Sequence, residues 1–477
     1  MENTQRDPSS PWKTASGEWR FRSYDSKVYG AASDADVVAG KWYLIGQSPD
    51  FRTCECPSFY PLPAATPGFE AAYQQAAVQG ALPTHVHKTS CGGDWWQLGT
   101  YEEGAPKTLG HFHSTPGWED VFVQKRIDTD SFYASKDNEY PAKNGEKRRI
   151  NWGWAMVPPG SAQSLPRVIT FNAAARCLEQ APIEELESLR GPAAFSQTGV
   201  KLAAGLPMYL NLALGLAKQS EFVATIELPM EPASIRVSIG VSNCTIDYAP
   251  SANSAAAFYE VPVTCASNTQ NFTQSLRLLA SEKTLEIRIF IDWTFMEAFF
   301  QKGRATLTFH GALDDLTGIS VASSAAATVQ SMSVYPMKSI WTSPEEIRKM
   351  PRVYPSPHVA FRSSTVLAPT LRCSDGDVWI RSQEPAPKRR RTASAKAGAK
   401  AGAPQVRRFT VVSSNKVGLL GKPDISAEVN GYIQTGVTFE VSDEWEDPRD
   451  QRRFFYLSDG RGWVPECSRK DPSKTVI

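Results

Sequence analysis

From Leu285 to Asp292 apolar and polar side chains alternate, the period of a strand with one buried and one wet face. Glu297 to Phe300 and Ala305 to Phe309 follow, split by a turn at Gln301-Lys302-Gly303-Arg304. Residues from about 200 to 341 therefore predict the hairpins of an antiparallel sandwich. The first 190 residues have a different texture. Short aromatic runs such as Gly17–Arg22, Lys41–Ile45 and Asp94–Tyr101 recur between Gly, Pro, Asp and Ser turns, which predicts repeated antiparallel sheets. No amphipathic pattern of about 12 residues or more suggests a long helix there. Pro182–Arg190 reads as a short helix-like turn joining two domains.

Beyond the sandwich the pattern fades. In 342–383 only a helix start is legible, with Ser343 as N-cap and Pro344 at the first helical position, and the segment is otherwise unassigned. Residues 384–405 turn to Pro, Ala, Lys, Arg and Gly, too little apolar surface to offset the entropy of ordering, and predict a disordered basic linker. Lys388-Arg389-Arg390-Arg391 within it is read as a solvated basic run, with a nuclear import signal as the alternative. Strand-like runs resume at Phe409–Val412, Gly436–Val441 and Phe454–Leu457, closing on Asp459-Gly460-Arg461-Gly462 before Trp463-Val464. Residues 406–470 resemble a bacterial-type Src-homology-3-like barrel, a fold that implies a peptide or glycan ligand without fixing which.

Composition changes this picture little. A chain of 477 residues with 21% charged residues and a net charge of +1 gives no electrostatic reason to expect nucleic acid. Leu202–Ala217 is interrupted by Pro207, Tyr209 and Asn211 and falls short of the roughly 20 apolar residues a membrane span needs. Met1–Asp7 carries no apolar signal-peptide region. The sequons Asn243-Cys244-Thr245 and Asn271-Phe272-Thr273 would suit a secreted chain, so the compartment stays open. Thirteen Trp fit a β-rich core or stacking on sugar rings. Cys54-Glu55-Cys56, without a second pair or flanking His, is a poor zinc site; a Cys244–Cys265 disulfide is left open. His85-x-His87 and His111-x-His113 are explained by strand alternation rather than by a metal.

The chemistry rests on Arg6-Asp7-Pro8 and Glu55-Cys56-Pro57-Ser58-Phe59-Tyr60-Pro61. Their order continues through His85–Ser90, Leu98–Tyr101, Asp128–Lys136 (Asp-Thr-Asp-Ser-Phe-Tyr-Ala-Ser-Lys), Arg148–Ala155 and Leu165-Pro166-Arg167 to Glu184–Arg190. The sandwich adds Ile291–Phe299, Gly303–Thr308 and Val334–Trp341. Over residues 6 to 341 this collinear set resembles glycoside hydrolase family 32, the β-fructofuranosidases, invertases and fructan hydrolases. The resemblance implies an all-β chain: a partial five-bladed β-propeller over 1–185 and a β-sandwich over 191–341.

It also implies retaining hydrolysis of terminal β-D-fructofuranosides such as sucrose, with sucrose or a fructan as partner and no cofactor or metal. Retaining chemistry uses two carboxyl groups about 5–5.5 Å apart, one a nucleophile and one an acid/base. Glu55 matches the acid/base, and Asp7 the residue that bonds fructosyl hydroxyls and steadies the oxocarbenium-like transition state. Arg6 and Cys56 match substrate contacts, with Arg6 expected to orient Asp7. The family's nucleophile lies in a Trp-Met-Asn-Asp-Pro-Asn-Gly segment upstream of Arg-Asp-Pro. Five residues precede Arg6, and Asn-Asp-Pro occurs nowhere in the chain. The expectation is an N-terminally truncated relative that is inactive alone. The alternative is a catalytically inactive carbohydrate-binding or protein-interaction module. Cys54, Ser58 and Asp130 also stand where the family has an aromatic, Asp and Gly.

Overall fold

Period-two alternation becomes three successive antiparallel sheets and a sandwich in the computed structural model. It describes residues 6–340 apart from 80–81, 143–144, 159, 251–256, 312 and 315, then 343–349, 371–372, 378–379 and most of 407–466. The chain divides into two units, Met1–Arg362 and Ser363–Ile477.

The first sheet runs β1 (Trp12–Lys13), β2 (Trp19–Arg22), β3 (Lys27–Ala31) and β4 (Tyr43–Gln47), each hydrogen-bonded to the next. The second runs β5 (Glu55–Pro61), β6 (His85–Ser90), β7 (Asp94–Glu102) and β8 (His111–His113), with β9 (Lys125–Arg126) beside β7. The third is β10 (Phe132–Pro141), β11 (Lys147–Ala155), β13 (Arg167–Asn172) and β14 (Cys177–Pro182), with β12 (Ala162–Gln163) paired to β11. Short meanders follow from turns too brief for a crossover. The long β5–β6 connection carries a helix the sequence did not announce, Glu70–Val78, none of whose residues is fully buried. Its apolar positions are mostly Ala, which gives helix propensity without a strong apolar stripe.

Residues Glu184–Leu189 form the expected helical turn, as a 3-10 segment. The sandwich behind it has two six-stranded sheets. One orders β15 (Phe195–Leu202), β26 (Ala327–Pro336), β17 (Gln219–Glu227), β22 (Thr284–Asp292), β23 (Phe295–Phe300) and β24 (Ala305–His310). The other orders β16 (Met208–Tyr209), β25 (Ile319–Ser323), β18 (Ala233–Ile239), β19 (Ser242–Tyr248), β20 (Phe258–Ala266) and β21 (Asn271–Leu279). Phe222, Ile235, Val263, Leu276, Ile287 and Phe309 fill the space between them. Cys244 and Cys265 face each other across β19 and β20 and are disulfide-bonded. Asn271 is exposed on edge strand β21, whereas Asn243 is half-buried on an inner strand.

The expected wet outer face is absent at β23, whose six residues are all buried. Its outer face meets the third sheet through buried charge. Arg167, fully buried, lies 2.7 Å from Asp128 and 2.6 Å from Glu297, donates to the Thr308 hydroxyl and stacks on Phe132 and Phe299. Four stretches of the family-like pattern, Asp128–Lys136, Leu165-Pro166-Arg167, Ile291–Phe299 and Gly303–Thr308, thus meet in a joint between domains.

The paired histidines have structural places. His85 stacks on Phe59 and meets Tyr101 edge-on, and burial holds its pKa down at about 4. His87 is held well below its ordinary value, by burial and then by Arg22. An unfolded chain binds these protons near pH 6.5, while the folded chain does not until about pH 4 at His85. Stability is full above pH 6.5 and declines as pH falls toward 4. His85 alone should account for about 1–2 kcal/mol after allowance for its partial exposure. Urea midpoints should fall less steeply between these pH values in His85→Gln than in the parent.

Ser343 Oγ accepts from the Glu346 amide at 3.2 Å, and the Glu346 carboxylate accepts from the Ser343 amide at 3.1 Å, a reciprocal cap on the helix Pro344–Lys349. In the second unit β27 (Leu371–Arg372) pairs with β28 (Val378–Trp379). A six-stranded sheet follows, ordered β29 (Arg407–Thr410), β32 (Thr438–Glu446), β33 (Arg453–Leu457), β34 (Trp463–Pro465), β30 (Val417–Leu420) and β31 (Val429–Ile433). Val417, Leu419, Phe439, Leu457 and Val464 form its core. The linker 384–405, with Lys388–Arg391, lies outside the described residues.

Candidate active site

The two motifs singled out from the sequence meet. Glu55 opens β5 and pairs with Ser90 of β6; the register then slips, and pairing resumes at Ser58–Lys88. Inside this bulge Cys56 takes φ +44°, and Pro57 has no N–H to donate. Asp7, at φ +56°, accepts from the Cys56 amide at 3.2 Å, which brings the first motif onto the second. Ala134, at φ +50°, sits in a matching slip of β10 between Tyr133 and Lys136. Three non-glycine residues in the left-handed region at one place each cost about 1–3 kcal/mol, the kind of strain that collects at functional sites.

Half-buried Glu55 is addressed from two sides. Arg6 Nη2 lies 2.6 Å from Oε1, and Tyr133 Oη donates to Oε2 at 2.8 Å and to the Ser90 carbonyl at 3.3 Å. Burial, and then Glu55, push the Tyr133 phenol up to about 12, so it remains a donor through the neutral range. Arg6 also lies over the Tyr24 ring. Arg6 therefore binds Glu55 directly, where an orienting role on neighbouring Asp7 was expected. Half-buried Cys56 presents its backbone to Asp7, and burial pushes its thiol pKa up, which makes it a poor nucleophile.

Beneath these groups lie two lysines to which sequence reading gave no role. Lys88 bonds the carbonyls of Cys56 (3.2 Å) and Ser135 (2.5 Å) and the Ser90 hydroxyl, and lies 3.2 Å from Asp94. Lys136 bonds the carbonyls of Pro8 (2.8 Å) and Pro57 (3.0 Å), tying both motifs to the third sheet. Its pKa is lowered, chiefly by burial and then by Lys88. Lys136→Met should release both proline carbonyls and loosen Asp7 against Cys56. Exchange of the Cys56 amide hydrogen is expected to quicken about 10-fold, the loss of one to two charged hydrogen bonds, with the melting temperature nearly unchanged.

No group of three or more His, Cys, Asp or Glu among the described residues is placed to hold a metal ion. His111 instead pairs with Asp50 and His113 with Glu102. A crevice of about 440 Å³ lies elsewhere, between Trp96, Arg126 and Asp130 on one side and Phe272, Arg277 and Arg304 on the other. Its arginines are spoken for: Arg126 by Asp130, Arg277 by Glu260, Arg304 by Glu179 and Glu282. Among the described residues no helix is long and apolar enough to cross a membrane.

A carboxylate held by Arg and Tyr thus sits on a bulged strand, within successive antiparallel meanders backed by a sandwich. Residues 185–336, which hold the sandwich, match the family model of the glycosyl hydrolases family 32 C-terminal domain. The chain is 30% identical over 204 residues to a β-fructofuranosidase, insoluble isoenzyme 1, of Daucus carota, covering 39% of this chain and 33% of the relative. It is 27% identical over 368 residues to an acid β-fructofuranosidase 2, vacuolar, of a Rosa hybrid cultivar, covering 64% and 54%. The chain thus spans from a third to about half the length of these relatives. The crystal structure of fructan 1-exohydrolase IIa from Cichorium intybus shares the fold, with TM-score 0.53 at 20% identity, covering 71% of this chain and 73% of that one.

Proposed function

We propose that the Glu55–Asp7 site is the acid/base and fructosyl-binding part of a retaining β-fructofuranosidase acting on sucrose or a fructan. The observation that carries this is the junction of Arg6-Asp7-Pro8 with Glu55-Cys56-Pro57 through the Asp7–Cys56 hydrogen bond. Glu55 protonates the leaving glycosidic oxygen, then as carboxylate draws a proton from the water that attacks C2 of the fructosyl group. Asp7 accepts hydrogen bonds from fructosyl hydroxyls and faces the positive charge growing on the ring. Arg6 swings from Glu55 to the sugar when substrate arrives, and Cys56 contacts substrate from the bulge. On this reading the nucleophilic carboxylate is an Asp in an Asn-Asp-Pro setting, a tripeptide these 477 residues do not contain. Supporting this reading, the Rosa and Daucus relatives are β-fructofuranosidases, and a chicory fructan 1-exohydrolase of the same fold was solved in complex with 1-kestose.

A second reading is a sugar-binding module without turnover; the absence of Asn-Asp-Pro from the chain favours it. Both readings require the sugar site. Calorimetric titration with sucrose should give a Kd on the order of millimolar, weakened at least about 10-fold in Asp7→Ala as a hydrogen bond to a charged group is lost. No binding by the parent chain would remove both. The C-terminal sheet is proposed as a separate peptide or glycan platform, built on the Tyr456–Trp463 ring pair (5.1 Å) and exposed Tyr432.

A further inference from the structure

The residue before Glu55 is covalently held. Cys54 is bonded to Cys91 across 37 residues, with Cα atoms 5.6 Å apart. Glu55 and Ser90 are registered partners, so the bridge joins the residue before one to the residue after the other, at the mouth of the β5 bulge. The ladder is weak there. Cys56 and Pro57 fall out of register, and on the far side the chain turns through Cys91-Gly92-Gly93, with φ +60° and +130° at the two glycines and one Cys91–Gly93 backbone bond. Such a glycine turn is soft. Yet the single Tyr133 O–H is shared between the Glu55 carboxylate and the Ser90 carbonyl, one on each strand of this ladder end.

We propose that the Cys54–Cys91 disulfide is a positioning staple for the Glu55 carboxylate, and that reduction by a dithiol releases it. The two bridges differ in access. Cys244 and Cys265 are fully buried, and Cys54 is 3% exposed, whereas Cys91 is half-buried at the turn. Attack therefore falls on the Cys91 sulfur. A reductant thiolate bonds to it, the S–S bond breaks, and Cys54 leaves as a thiolate and takes a proton. The reductant's second thiol then displaces Cys91, which is protonated in turn, and two electrons have passed from the dithiol, now a cyclic disulfide. With the bridge open, the Glu55–Ser90 end of the ladder frays, and Tyr133 keeps one partner instead of two. The functional meaning rests on Glu55 as acid/base, but the geometry is testable without turnover.

Folded protein is titrated with dithiothreitol, alkylated and mapped by peptide mass spectrometry. Cys54–Cys91 should open at a reductant concentration at least about 10-fold below that for Cys244–Cys265. In a second arm, Cys54→Ala/Cys91→Ala leaves the Cys56 thiol as reporter on the bulge. Its alkylation should quicken about 10-fold, with faster amide exchange confined to the start of β5. Cys244→Ala/Cys265→Ala should leave the Cys56 rate within about twofold. An unchanged Cys56 rate in the first double variant overturns the proposal. So does labelling of buried Cys177 in step with Cys56, because the bridge then supports the whole domain rather than Glu55. A chain that passes both arms but binds no sucrose keeps the staple and loses only the sugar site.

Discussion

Replacing Arg167 by methionine should destabilise the first unit by about 3–5 kcal/mol, the cost of leaving buried carboxylates without their cation. Arg167 is the only charge balancing Asp128 and Glu297 within 4.0 Å among the described residues, and all three side chains are at most 2% exposed. Asp128 also accepts from the Thr308 amide and hydroxyl, and Glu297 from the Leu165 amide. Neither carboxylate can turn toward water when the guanidinium goes. The cation rather than the volume matters here, since methionine fills much of the space between Phe132 and Phe299. Adding Asp128→Asn and Glu297→Gln to Arg167→Met should therefore restore at least half of the loss in urea unfolding. If the triple variant is as unstable as the single one, packing and not charge holds the joint.

On the proposed reading, these 477 residues alone should hydrolyse sucrose on the order of 10⁴–10⁶-fold more slowly than a retaining fructosidase that carries its nucleophile, the penalty for lacking a covalent nucleophile. In that reading Glu55 as acid still assists departure of the leaving oxygen. Without an Asp in an Asn-Asp-Pro setting, no carboxylate of the recognised pattern stands ready to take the fructosyl group. Glucose release from sucrose, followed with purified protein over hours, measures this. Turnover above one per second that survives Glu55→Gln would show that another pair of groups does the chemistry.

What was legible in the sequence is what local period controls. The run Leu285–Asp292 became β22, and the turn Gln301–Arg304 separates β23 from β24 as expected. Motif order was equally informative, since Arg6-Asp7-Pro8 and Glu55-Cys56-Pro57 are joined in space although 49 residues apart. Contacts set by register were not legible. Nothing in the spacing of Cys54 and Cys91 marks them as partners; they meet because Glu55 pairs with Ser90. Lys88 and Lys136 look like solvated positions on alternating strands, and only the approach of β10 to β5 buries them over the bulge. The buried outer face of β23 escaped for a related reason: alternation reports one sheet's faces, not the domain that later covers them.

The most direct test is a crystal structure of the chain soaked in sucrose. A fructosyl unit should lie with its hydroxyls on Asp7, and its glycosidic oxygen should sit about 2.6–3.2 Å from Glu55, with Arg6 displaced from that carboxylate. Sucrose bound only in the crevice beside Phe272 and Arg277, with the Arg6–Glu55 pair intact, would contradict the assignment of Glu55 and Asp7 to the sugar site.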